Sequence, residues 1–271
     1  MQNNTPKWLD LYITAFGAPG LVALAWWAGA FHAQRIRELQ ETYPILQITG
    51  GAGVGKSTLV ANLWKLAGSS ESEIRSASTC GMGALLAFMA RAVNRPVVLE
   101  ECDRADQFDW NLLKHCYDGK PIAYRGMGQP LGRMVFQGAL AYVGGEFEVL
   151  NPRVVNIHLE RQPTGEGARE AVQALYELQL KDLAQFLNTV RDNREQVIYR
   201  LGHVEAYTDD LQAESGMKRA AARNHAQLRA LLNLLGDLFC IPDCPLTKAQ
   251  VLVREMAFVH APHSVDAGEP V

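Results

Sequence analysis

Residues 45–58 read ILQITGGAGVGKST, an apolar run of strand character that flows into the pattern G-x-x-x-x-G-K-[ST], with a helix-forming stretch from Ser57 to about Leu66 behind it. A loop of this composition cradles phosphates. Gly50, Gly51, Gly53 and Gly55, with Ala52 and Val54 among them, let the backbone turn tightly and aim its N–H groups at phosphate oxygens. The following helix adds the positive end of its dipole. Lys56 is placed to reach the outer phosphates, Ser57 to offer its hydroxyl to Mg²⁺, and Thr58 to pack or touch the α-phosphate. The sequence thus predicts a nucleoside triphosphate site with ATP and Mg²⁺ as ligands. No Asn/Thr-Lys-x-Asp guanine-reading motif is present, which favours ATP over GTP.

Outward from the loop, Arg95-Pro-Val-Val-Leu-Glu-Glu101 is a short β-branched run ending in two carboxylates, the form of a buried strand that delivers acid groups beside a phosphate loop. Glu100 is the candidate for the Mg²⁺ shell and Glu101 for the base that orients the attacking water. The two could exchange roles, Asp103 is a third candidate, and a core strand followed by a solvated acidic loop is the plain reading. Gly138–Val143 and Val154–Leu159 read as further buried strands. Strands interleaved with helices predict an α/β P-loop NTPase with a mostly parallel sheet flanked by helices, an N-terminal helical segment and a small helical C-terminal domain.

The chain has 271 residues, 48% of them hydrophobic, enough for a full core and one α/β domain with an appendage. A net charge of −3 and a pI near 6.2 give no overall basic field, so nucleic-acid binding would need a local patch. Five cysteines without a signal peptide suit a reducing cytoplasm, and the lone Cys240-x-x-x-Cys244 pair, interleaved with prolines, is a weak metal signal. Leu11–Phe31 is uncharged and long enough to span a bilayer, but Gly17, Pro19 and Gly20 interrupt it and flanking anchors are missing. We therefore expect no membrane span but two buried helices, Pro6–Phe16 and Ala18–Leu39.

Lys120 to Arg133 is a Gly-rich, basic segment carrying Lys120, Tyr124, Arg125 and Arg133, charges and an aromatic suited to a DNA-facing hairpin or, equally, to an ordinary solvated one. Apolar residues at helical spacing predict one long helix over 166–193. A second basic stretch, Lys218, Arg219, Arg223, His225 and Arg229, precedes an apolar helix. The expected division is an N-terminal helical segment 1–44, an ATPase core 45–200, a helical domain 201–260 and a flexible tail 261–271.

The series ILQITGGAGVGKSTL, NRPVVLEECDR, FDWNLLKHCYDG, FQGALAY and Pro152-Arg-Val-Val155 resembles, over roughly residues 20 to 260, the ATPase portion of primase-helicase (toprim-domain) proteins of prophages and mobile elements. These are similar to ring-forming AAA+ or superfamily 3 helicase motors. The resemblance implies an oligomeric ring acting on single-stranded or forked DNA, with ATP between subunits and an arginine crossing from the neighbour. Arg153 is the best match for that finger, with Arg161 and Arg125 weaker ones. The family places a Gln-Asn pair after the strand that here ends at Val143, where this chain has Gly144-Gly145. Glu146 would then have to take over the sensor role, or hydrolysis would be slow. With 49 residues ahead of Gly50, the expectation is either a motor whose primase is encoded separately or a stand-alone adaptation of one. Two functions follow: an ATP-hydrolysing DNA motor, or an ATP-gated loading factor that binds a partner protein and turns over little.

Overall fold

The computed structural model describes residues 5–76, 81–100, 109–125, 131–145, 150–160 and 166–259. Five strands form one sheet: β1 (Ile45–Thr49), β2 (Ile74–Ser76), β3 (Pro96–Glu100), β6 (Ala139–Val143) and β7 (Val154–His158), in the order β2-β3-β6-β1-β7. Every pairing in it is parallel. The remaining pair, β4 (Ile122–Arg125) and β5 (Leu131–Met134), is an antiparallel hairpin outside the sheet. The strands read as continuous apolar runs because both faces are covered. On one face Leu46, Ile48, Val98, Ala141, Val155 and Ile157 join the larger core cluster; on the other Ile45, Val97, Leu99, Leu140, Tyr142 and Val154 join a smaller one with Trp110, Leu113 and Phe136.

Helix α1 (Lys7–Ala30) is long and apolar enough to cross a bilayer, yet Gly20 through Ala30 are all buried in the protein's own core, against α6 (Glu166–Glu177), α10 (Arg219–Phe239) and α11 (Asp243–Val259). The helix breaks at Gly17 (φ 57°, ψ −148°), and the Tyr12 hydroxyl donates to the Gly20 carbonyl at 3.1 Å just past the break. The expected second helix is shorter than the sequence suggested. It stops at Ala30, and a separate α2 (Ala33–Gln40) follows a turn at Phe31–His32, because Gln34 N–H is captured by Asn94 Oδ1 (2.9 Å) instead of continuing the ladder. Two polar staples fix α1 to the entrance of β1: Trp26 Nε1–H donates to the Pro44 carbonyl (2.8 Å), and the Tyr43 hydroxyl to the Trp26 carbonyl (2.5 Å).

One further correction concerns the C-terminal half. The predicted helix over 166–193 is two helices, α6 and α7 (Leu180–Asp192), with Gln179 extended between them (ψ 146°). The apolar spacing survives the break because both helices face one core, where Leu175, Leu183, Phe186 and Val190 lie together. The basic stretch Lys218–Arg229 is tied up by ion pairs and burial. Arg219 pairs with Glu205 and Asp209, Arg223 with Glu41 and Glu205, and His225 is fully buried with its ring on the Ala221 carbonyl. Helices α8 (Arg194–Leu201) and α9 (Val204–Ser215) complete the packing around α10.

Candidate nucleotide site

Parallel strands place ligands at their carboxyl ends, and here β1 lies where the chain reverses direction across the sheet: it runs out to β2, returns through β3 and β6, and finishes with β7 on the far side of β1. The loop 50–55 leaves β1 at that end and enters α3 (Lys56–Leu66) through Gly55, whose φ of +99° sits in the left-handed region. Gly50 (φ +137°) could not be replaced without collision, since a Cβ there would lie 2.3 Å from the Leu159 carbonyl oxygen. Lys56 begins α3 and folds back over the loop, its ammonium donating to the carbonyls of Gly50 (2.6 Å) and Gly51 (2.9 Å). Ser57 and Thr58 occupy the first turn, with backbone N–H groups that have no intrahelical partner.

Glu100 ends β3 in register with Val143 of β6, and Val143 is in turn in register with Ile48 of β1. One strand therefore separates the acidic strand from the loop strand, a lateral gap of about 10 Å. Side chains alternate along a strand, and Val98 points into the core shared with α3, so Glu100 is presented on the face where α3 begins. It is exposed and forms no ion pair among the described residues. A hydroxyl from Ser57 and a carboxylate from Glu100, flanking a loop of free amides, are the donor types a phosphate-bound Mg²⁺ takes while keeping phosphate and water in its other positions. Among the described residues no group of three or more His, Cys, Asp or Glu could hold a metal alone. Cys240 and Cys244 are both exposed thiols, whereas burial pushes the Cys116 thiol up to about 12 and leaves it inert.

Glu101, Asp103, Glu146 and Arg161 lie outside the described residues. Gly144 and Gly145, where an asparagine was the family expectation, are held by backbone: Gly144 N–H donates to the Ile48 carbonyl (3.1 Å), and the Gly145 carbonyl accepts from Gln47 Nε2. A cluster that the sequence did not reveal sits next to them. Thr49 Oγ1 donates to Asn156 Oδ1 (2.9 Å) and lies 3.0 Å from His158 Nδ1, bracing the last residue before the loop against β7. Val154–Leu159 read only as a strand because its polar members face the loop base, an assignment that needs the register Thr49 to His158.

The other predicted residues gather at the opposite, amino end of the sheet. Arg153 precedes β7, and its carbonyl accepts from Ile45 N–H at 3.0 Å. Asn224, fully buried, pins the approach by donating to the Pro152 carbonyl (2.9 Å) and accepting from the Tyr117 hydroxyl (2.8 Å). The Arg153 guanidinium has no carboxylate partner among the described residues. It lines a cavity of about 490 Å³ together with Lys120, Tyr117 and Asp118. Burial acts to raise the Asp118 carboxyl, but hydrogen bonds from the Lys120 amide and ammonium and from His115 outweigh it and hold that carboxyl below its ordinary value. Lys120 is thus an exposed cation tied to Asp118 (3.2 Å) at the foot of the hairpin. In the hairpin Ala123 pairs with Arg133 and Tyr124 with Gly132; Ile122 and Met134 are buried while Arg133 is exposed, and the turn 126–130 lies outside the described residues. Tyr124 and Arg125 are therefore placed on the strand next to that turn.

No family model and no curated protein matches the sequence. Among solved structures, the chain is similar to one described as SCCmec type IV Cch, active helicase, with a TM-score of 0.68, 16% identity, and 92% of this chain and 50% of that chain covered. Weaker likenesses, with TM-scores of 0.36 and 0.32, are to the apo C-terminal region of NrS-1 (14% identity, 95% and 66% covered) and to a ligand-bound JCV helicase (12% identity, 91% and 62% covered). The first likeness establishes a shared fold, an α/β arrangement seen in a helicase, and this chain spans half the length of that structure.

Proposed function

We propose that the protein is an ATP-hydrolysing, ring-forming motor that acts on single-stranded or forked DNA in replication of a mobile element or phage, with Mg²⁺ held by Ser57, Glu100 and phosphate oxygens. One observation carries this reading. Within one chain Arg153 and the phosphate loop lie at opposite ends of the same parallel sheet, six residues of rise or roughly 20 Å apart. That is farther than an arginine side chain reaches, so a guanidinium anchored at that end, unpaired among the described residues, can serve a phosphate only in a neighbouring copy. Bound triphosphate would draw Lys56 from the Gly50 and Gly51 carbonyls onto the outer phosphates, and Glu101 would orient the lytic water. Lys120, Tyr124, Arg125 and Arg133 belong to the hairpin that would meet DNA. A separately encoded primase fits the same reading. The helical segments 1–44 and 201–260 would frame a 45–200 ATPase core.

The experiment is a mixing test. Arg153→Ala and Glu101→Gln are each expected to be inactive, and mixing them should restore ATPase because some interfaces then combine an intact finger with an intact base. Absence of rescue, with a monomer at every concentration in native mass measurements with ATP and single-stranded DNA, refutes the ring. The backbone-only end of β6, Gly144-Gly145, favours the second reading, an ATP-gated loading factor with weak hydrolysis. In that case nucleotide binding would be tight, turnover slow and unaffected by DNA.

A further inference from the structure

A second cavity of about 490 Å³ opens at the amino end of the sheet, between the α1–α2 turn, the Asn94 turn ahead of β3 and the junction of α7 with α8. Three arginines face it, Arg35, Arg191 and Arg194, against a single carboxylate, Glu38. Glu38 is taken by Arg35 at 2.8 Å. Among the described residues Arg191 and Arg194 have no acidic partner; the Arg191 guanidinium rests over the Phe31 ring, 5.5 Å from its centroid. Arg35 Nε is buried in the wall with no hydrogen-bond partner among the described residues. The floor is His32, 6% exposed, whose Nε2–H donates to the Val190 carbonyl at 2.9 Å. Burial, and after it the repulsion of Arg194 and Arg191, hold the imidazole below its ordinary value despite that bond, so it stays neutral and the cavity keeps its positive field.

We infer that this cavity is a binding site for a phosphate group, gripped by the Arg191 and Arg194 guanidinium forks and distinct from the loop at Gly50–Ser57. Two guanidiniums that line one cavity and have no acidic partner among the described residues present the fork that phosphate oxygens take, with the double positive charge that a phosphate group offsets. Asn94 lies just ahead of the amino end of β3, so the site is a full strand length, roughly 17 Å, from the carboxyl end where the candidate nucleotide loop sits. A ligand there would not touch the triphosphate. It would touch α2, whose C-terminal Gln40 and the following residues Thr42–Pro44 lead directly into β1.

The phosphate can come from a free polyphosphate or from a nucleic-acid backbone, and one set of measurements separates them. In the full-length Lys56→Ala protein, which removes the phosphate grip of the loop, binding of inorganic pyrophosphate is measured by calorimetry and binding of an unphosphorylated ten-residue thymidine oligonucleotide by anisotropy. Adding Arg191→Ala and Arg194→Ala should weaken one of these by about tenfold or more, the effect of a lost charge-assisted pair. Loss for pyrophosphate assigns a free polyphosphate; loss confined to the oligonucleotide assigns a backbone phosphate. Both side chains are exposed, so the fold should survive, and thermal melts check this; Arg194→Glu, a second variant, should weaken binding further. Unchanged affinity for both probes in folded arginine variants, or no binding of either probe to the parent, overturns the site. ATP binding by the same arginine variants in the background with Lys56 intact should stay unchanged, so this outcome is read separately from the nucleotide loop.

Discussion

At the carboxyl end of the sheet the candidate binding groups are backbone amides of the glycine loop with two lightly anchored side chains, Lys56 and Glu100, whereas at the amino end they are guanidiniums next to packed aromatics and buried amides. A Cβ placed on Gly53 or Gly55 would meet nothing within 4 Å, while one on Gly29, near the amino end, would lie 2.3 Å from the Tyr43 hydroxyl and 2.7 Å from Leu231. The candidate nucleotide loop is open at Gly53 and Gly55, while the chain is closely packed around Gly29. A ring that joins the two ends of neighbouring copies would combine an adaptable surface with a rigid one, which suits a finger that must arrive in one place.

The largest expected effect tests the open end. Lys56→Ala should abolish triphosphate binding or hydrolysis without lowering the melting temperature, because the ammonium contacts only loop carbonyls and supports no core. Unchanged ATPase at saturating ATP breaks the assignment of the loop. Next in size, Glu101→Gln should keep ATP bound and slow cleavage by about a hundredfold, the contribution of a positioned base. Should Glu100→Gln alone block cleavage instead, the two carboxylates hold each other's roles.

A pair of glycine substitutions sharpens the contrast between the two ends. Gly29→Ala is expected to destabilise the fold by about 1–3 kcal/mol through overpacking against Tyr43 and Leu231, with nucleotide affinity intact in the folded fraction. Gly51→Ala meets only Val54 Cγ1, at 3.8 Å, and needs no left-handed φ, so denaturant midpoints should hardly move while ATP affinity falls about tenfold as the methyl crowds the phosphates. Reversal of that pattern would mean the loop is part of the folded core.

What the sequence made legible was the part with a local pattern. The glycine loop, the acidic strand and the strands after it each show a composition and length that can be read from one chain. The order of the sheet could not, since β6 enters between β1 and β3 through a register that no run of Val and Leu specifies. β2 has only three residues, too few for a pattern. The ion pairs of the basic stretch on α10 could not be read because its acids, Glu41, Glu205 and Asp209, stand 10 or more residues away, and the arginine cavity stayed hidden because Arg35 and Arg194 are far apart in the chain and line one cavity only in the folded protein.

The smallest predicted effect belongs to His32 at the amino end. Its folded-state value is lowered from 6.5, so between that lowered value and 6.5 the unfolded chain binds the proton that the folded chain refuses. Stability from this group is complete above pH 6.5 and is lost as the pH falls through the folded value. The urea midpoint should therefore drop on going from about pH 7 to about pH 5.5, a window set by an unperturbed imidazole. His32→Gln keeps a donor for the Val190 carbonyl but does not titrate, so the drop in midpoint over that window should be smaller in the variant. Carboxylates add their own acid loss to both proteins, so the comparison is the difference between the two curves. Parallel curves would mean that the Arg191 and Arg194 field does not reach His32, and that the amino end is looser than its packing indicates.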